Sequence, residues 1–95
     1  MKVEWSVDAL ADLDRFAAFL HSRYRALANA VAREIVEKAK ILAERPHLGH
    51  PIAGHEEFRQ IVMQVLNAGY VFQYRIDGDR LVMLRVFHGC EARDR

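Results

Sequence analysis

Apolar residues change their repeat partway along this chain, and the change divides it into a helical half and a sheet half. Val3, Glu4 and Trp5 read as a short opening strand. Ser6 then stands where a helix N-cap belongs, and Asp8 adds negative charge to the first turn. Leu10, Leu13, Phe16, Ala17 and Leu20 recur at helical spacing, which predicts a helix over residues 7–22. After a polar break, Ala28, Val31, Ala32, Ile35, Ala39 and Leu42 form a second apolar stripe and predict a helix over 26–44. Glu34 and Lys38, four apart, are in the favoured order for an ion pair. A short link between two amphipathic helices implies an antiparallel hairpin, and its many alanines let the axes approach closely. Pro46 ends the second helix, because the residue before a proline avoids helical angles.

Residues 46–57 read as a loop punctuated by Pro46, Gly49, Pro51 and Gly54. From Phe58 the apolar period becomes two. Ile61, Met63 and Val65 alternate with Gln60, Val62 and Gln64; Tyr70, Phe72, Tyr74 and Ile76 make one face of the next strand. Asp77-Gly78 is a hairpin signal, after which Val82, Leu84 and Val86 alternate with Leu81, Met83, Arg85 and Phe87. A tight turn at Ala68-Gly69 would set Val65 opposite Phe72 and Met63 opposite Tyr74. A three-residue loop at Asp77–Asp79 would set Tyr74 opposite Val82 and Phe72 opposite Leu84; a two-residue Asp-Gly turn would reverse the faces of the last strand. The expected fold class is α+β, order β-α-α-β-β-β, an antiparallel sheet packed on an N-terminal antiparallel helix hairpin.

That register buries one face and leaves Gln60, Gln64, Gln73, Arg75, Arg85 and Phe87 on the other, beside Val71, Leu81 and Met83. Such a face is too apolar to be meant for water alone, and it suggests a partner chain lying across it. Its alternative cover is the chain's own C-terminal tail.

Length and charge narrow the possibilities. Ninety-five residues make one domain, residues 1–95. The formal net charge of +1 does not mark a nucleic-acid binder. No apolar run approaches the roughly 20 residues of a membrane helix, no secretory leader is visible, and Cys90, alone, cannot form an internal disulfide. A cytoplasmic location is therefore expected. Every cation after Pro46 is an arginine, the side chain suited to bidentate contact with carboxylate or phosphate.

Candidate chemistry is sparse. His88 could act as a general base or phosphate contact, or close the core by hydrogen-bonding a carbonyl. Arg85 could meet a partner's carboxylate, or an Asp or Glu of its own sheet. Arg59 could bind phosphate, or pair with Glu56, Glu57 or Asp77. Trp5, Tyr70 and Tyr74 read as core and rim aromatics, and Asp8, Asp12 and Glu34 as solvated helix charges. His47, His50 and His55 match no closed zinc motif, so neither metal nor cofactor is expected. No Gly-rich phosphate loop and no nucleophile elbow is present.

Several pieces together resemble the RelE/ParE toxin superfamily: Ala9–Leu13, Pro46-His47-Leu48-Gly49, Arg59, Gly69-Tyr70, Tyr74-Arg75 and Arg85-Val86-Phe87-His88-Gly89. The resemblance implies the toxin of a bacterial type II toxin–antitoxin pair, neutralised by a small DNA-binding antitoxin. Contact with DNA would then be indirect, through the antitoxin. RelE-like members cleave messenger RNA on the ribosome with basic residues around the scissile phosphate. They commonly carry an arginine after the Gly-Tyr, where Val71 stands here, and an aromatic near the C-terminus, where none follows Phe87. The ParE-like branch looks closer, through His88-Gly89 followed by Arg93-Asp94, although Cys90, Glu91 and Ala92 intervene. This branch is implied to inhibit DNA gyrase by binding, with a ParD-like antitoxin as partner. The expected partner-binding residues are Arg59, Gln73, Arg75, Met83, Arg85, Phe87, His88 and Arg93. Under the ribonuclease alternative, Arg59, Arg85 and His88 would be catalytic.

Overall fold

Ser6 closes the opening strand β1 (Lys2–Trp5) and starts helix α1 (Val7–His21), its hydroxyl oxygen accepting the Ala9 N–H at 3.0 Å. In the computed structural model, which describes residues 1–22 and 24–89, α2 (Arg25–Glu44) then runs back over the sheet. The Glu34 carboxylate and the Lys38 ammonium are 4.0 Å apart. The strands that follow are β2 (His50–Ile52), β3 (His55–Val65), β4 (Ala68–Asp77) and β5 (Arg80–His88). They form one mixed sheet in the order β1-β5-β4-β3-β2, with β1 parallel to β5 and the other pairs antiparallel. The α+β architecture is as expected. The loop after Pro46 additionally contributes the three-residue edge strand β2, where Pro51 costs little because an edge need not donate.

The core lies between the helices and the inner sheet face. Ile35 and Leu42 of α2 meet Phe72, Tyr74, Met83 and Val86, all at 0 % exposure. Burying each such aliphatic or aromatic side chain stabilises the fold by roughly 1.5–3 kcal/mol. In α1 the buried positions are Ala9, Asp12 and Phe16. Leu10, expected in that stripe, is 49 % exposed; the helix is rotated so that an aspartate occupies the centre of its inner face.

Two hairpin turns correct the expected register. Leu66 and Asn67 make the first turn, so Val65 faces Ala68, Met63 faces Tyr70 and Ile61 faces Phe72. Gly78 and Asp79 make the second, a two-residue turn that pairs Asp77 with Arg80 and Tyr74 with Met83. The shorter turn flips the first half of β5, so Leu81 and Met83 point into the core and Val82 points out. An irregularity between Gln73 and Tyr74 adds Leu84 as an extra residue, after which Val86 faces Phe72. Met83, expected on the outer face for a partner, is therefore a core residue.

Candidate partner-binding groove and the expected site residues

The edge of β5 explains where Arg85 goes. β1 stops at Trp5, opposite Met83, so the rest of β5 has no neighbouring strand on that side. Helix α1 satisfies that edge instead. The Ser6 N–H donates to the Met83 carbonyl at 3.0 Å, the Ser6 hydroxyl donates to the Leu84 carbonyl at 2.9 Å, and the Val86 N–H donates to Asp12 Oδ2 at 2.8 Å. Arg85 starts from the outer face, opposite Gln73, and its guanidinium reaches Asp12 with Nε at 2.8 Å and Nη2 at 3.0 Å. Arg15 donates to the same carboxylate at 2.7 Å. Asp12 is thus no solvated helix charge: it is 1 % exposed. Burial pushes its pKa up, but hydrogen bonds from Arg85, Arg15 and the Val86 N–H outweigh burial and hold it below the usual carboxylate value. The Arg85 guanidinium also lies 4.8 Å from the centre of the Phe87 ring, and Phe87 is itself buried, at 4 % exposure.

Arg59 is bound elsewhere. It stands opposite Tyr74, on the helix-facing side of the sheet, and donates to the Gly49 carbonyl at 2.6 Å rather than to Glu56, Glu57 or Asp77. The Tyr74 hydroxyl accepts the Gly49 N–H at 2.9 Å and donates to the Pro46 carbonyl at 2.6 Å. Burial pushes the Tyr74 phenol up from its ordinary value, against the opposing pulls of the Gly49 N–H and the Arg59 charge, so it stays protonated and can keep donating. These bonds pin the Pro46–Gly49 turn to the sheet.

On the outer face, Gln73 donates to Gln60 at 2.8 Å, Arg75 pairs with Asp77 at 3.2 Å, and Val62 is 60 % exposed. Arg93, expected as a partner contact, lies outside the described residues.

His88 stands at the opposite end of the inner face from Arg59. It pairs with Tyr70, their rings edge to face with centroids 5.1 Å apart. Arg59 is opposite Tyr74, four residues along β4 and two strands across. At about 3.3 Å per residue and about 4.8 Å per strand, their backbones are separated by about 13 Å along and about 10 Å across the sheet. Arg85 begins on the other face. The three residues of the ribonuclease alternative therefore do not converge.

What His88 does help to line is a groove of about 670 Å³ where the far ends of the two helices meet the β3–β4 turn. Its walls are mostly apolar: Phe16, Phe19 and Leu20 of α1, Leu27 and Val31 of α2, and Leu66 of the turn. Phe19 is 60 % exposed, and Leu27 and Leu66 are also open to solvent. Arg15 and Asn67 contribute the polar part with His88, and among the described residues no carboxylate lines it. An open apolar groove of this kind suits an amphipathic helix. The sequence signal for it was Phe19, a large aromatic outside the α1 stripe; the rest of the groove is assembled by distant segments. Among the described residues no helix is long and apolar enough to cross a membrane, and no three His, Cys, Asp or Glu side chains cluster as metal ligands.

Comparison with known proteins gives a consistent picture. The family model of the ParE toxin of the type II toxin–antitoxin system parDE matches residues 3–93. Toxin RelE3 of Caulobacter vibrioides is 30 % identical over 91 residues, covering 96 % of this chain and 97 % of that protein. Among solved structures, a chain from the chromosomal ParDE toxin–antitoxin system of P. aeruginosa superposes with a TM-score of 0.73 at 22 % identity, covering 93 % of this chain and 95 % of that one. A YoeB/ParE toxin from Agrobacterium tumefaciens gives a TM-score of 0.61 at 15 % identity, covering 93 % and 98 %. At these identities the two structures share the fold.

Proposed function

We propose, from the premise that this chain belongs to the ParE toxin family of type II toxin–antitoxin systems, that it poisons its target by binding and not by cutting RNA. Membership implies an antitoxin partner. The observation that carries the non-enzymatic reading is the dispersal of Arg59, Arg85 and His88. Cleavage at a phosphodiester needs a proton acceptor, a proton donor and cations gathered around one phosphorus. Here Arg59 is tied to the Gly49 carbonyl and Arg85 to Asp12. The proposed target is DNA gyrase and the proposed location is the cytoplasm. The antitoxin, of ParD type, fills the apolar groove and reaches the outer-face residues Gln73 and Arg75.

The test is to incubate purified toxin with gyrase and supercoiled plasmid. Accumulation of cleaved DNA, or lost supercoiling, is the expected result; no effect at any toxin excess removes gyrase as the target. The name of the Caulobacter relative, a RelE toxin, favours a second reading: ribosome-dependent cleavage of messenger RNA. Primer extension on messenger RNA from cells expressing the toxin separates the two. Codon-positioned cuts that disappear in an Arg59→Ala, Arg85→Ala or His88→Ala variant would establish the second reading. An SOS-type DNA damage response without such cuts supports the first.

A further inference from the structure

The two hairpins of the sheet solve the same problem differently. Both are closed by two residues, Leu66-Asn67 between Val65 and Ala68, and Gly78-Asp79 between Asp77 and Arg80. In each, the first turn residue has a positive φ: +57° at Leu66 and +61° at Gly78. Turns with positive φ at that position favour glycine, because a Cβ crowds the backbone there. Gly78 meets that demand without strain. Leu66 does not, and it is the one non-glycine with positive φ among the described residues. A bulky aliphatic side chain is among the poorest choices for this conformation.

Core burial does not explain the exception, since Leu66 is 44 % exposed. Its side chain instead lies on the rim of the groove with Phe19 and Leu27, three apolar groups from three separate elements. A strained, exposed, apolar residue at the lip of an open apolar groove is a feature of recognition rather than of stability. We propose that Leu66 is a specificity-determining contact for the antitoxin, held in the strained turn so that it closes one side of an amphipathic helix lying in the groove. This rests on the reading of the groove as the antitoxin's site.

The lining selects the occupant. Among the described residues no carboxylate lines the groove and most of its wall is apolar, so the fitting segment carries aliphatic side chains at helical spacing, and the antitoxin that family membership implies is the partner to supply it.

The probe is the purified protein encoded by the reading frame adjoining this gene, titrated calorimetrically into wild-type toxin and into Leu66→Gly and Leu66→Asn variants. Both variants relieve the turn, so their melting temperatures should hold or rise. Their affinity should fall about tenfold or more, as for a buried interface anchor. Phe19→Ala should weaken binding likewise. Wild-type affinity in both Leu66 variants would overturn the proposal, and so would a marked fall in their melting temperatures, which would make Leu66 a packing residue of the toxin itself. If wild-type toxin does not bind this protein, the antitoxin reading fails first and the role of Leu66 with it, a result distinct from binding that ignores Leu66.

Discussion

Replacing Asp12 by alanine should lower the stability of this protein by about 3 kcal/mol, the lower end of the cost of breaking a buried ion pair. The lower end applies because the Arg85 side chain is 32 % exposed and water can partly take over its solvation. The Val86 N–H has no such relief. It is buried, and losing its acceptor alone costs about 1–3 kcal/mol. For a domain of this length the melting temperature should drop by about 12–24 °C, at about 4–8 °C per kcal/mol. Thermal denaturation followed by circular dichroism measures it; a shift of only a few degrees would mean that Asp12 does not hold α1 to the β5 edge. Asp12→Asn should cost less, because its carbonyl oxygen can still accept from Val86.

The same carboxylate sets a pH dependence. Its pKa is lower in the folded protein than in the unfolded chain. Its stabilising contribution is therefore fully present above the ordinary carboxylate pKa and is lost as pH falls through the depressed folded value, because the unfolded state takes up the proton first. Asp77 is shifted in the same direction by hydrogen bonds from Arg75 and Arg80, and adds to the effect. Acid titration of stability should flatten in Asp12→Asn relative to wild type, and flatten less in Asp77→Asn, whose partners are solvated.

The second large effect is expected at Gly49. A Cβ there would stand 2.6 Å from the Tyr74 hydroxyl oxygen, 2.9 Å from its Cε1 and 3.1 Å from the Gln60 carbonyl. Tyr74 is fully buried and its hydroxyl is bonded on both sides, so it cannot swing away. Gly49→Ala should therefore destabilise by about 1–3 kcal/mol through overpacking. Tyr74→Phe should cost a similar amount for another reason: it leaves the Gly49 N–H and the Pro46 carbonyl without their partner. The double variant should cost less than the sum, because removing the hydroxyl relieves the closest of the clashes. Chemical denaturation of the four proteins reads the coupling; strict additivity would show that the turn and the tyrosine are independent.

Much of this molecule is legible in one dimension. The apolar stripe of α2, the cap at Ser6, the stop at Pro46 and the alternation of Tyr70, Phe72 and Tyr74 are local consequences of backbone geometry, and the structure places them where their patterns predict, whereas α1 keeps its extent but is rotated to expose Leu10. The resemblance carried by Pro46–Gly49, Tyr74-Arg75 and Arg85–Gly89 also pointed to the family. The outcome was different wherever a residue's fate depended on a neighbour far along the chain. Asp12 looks solvated in a helix pattern, yet β1 ends too early to pair with Val86, and a carboxylate fills the vacancy. Met83 lies on the inner face because a turn one residue shorter than expected inverts the first half of β5 until a bulge restores the alternation.

Amino-acid order alone therefore determined both helices, the opening strand, the two hairpins, the α+β class and the toxin family, though not the edge strand β2, since these follow from short-range periodicity and from motifs that keep their order. Which arginines are spent on the fold, where the open groove lies, and that Leu66 rather than glycine stands at a strained turn beside it were decided only by tertiary structure. Strand register and helix rotation are set by packing between segments up to 78 residues apart, and a slip of one residue exchanges buried and exposed side chains.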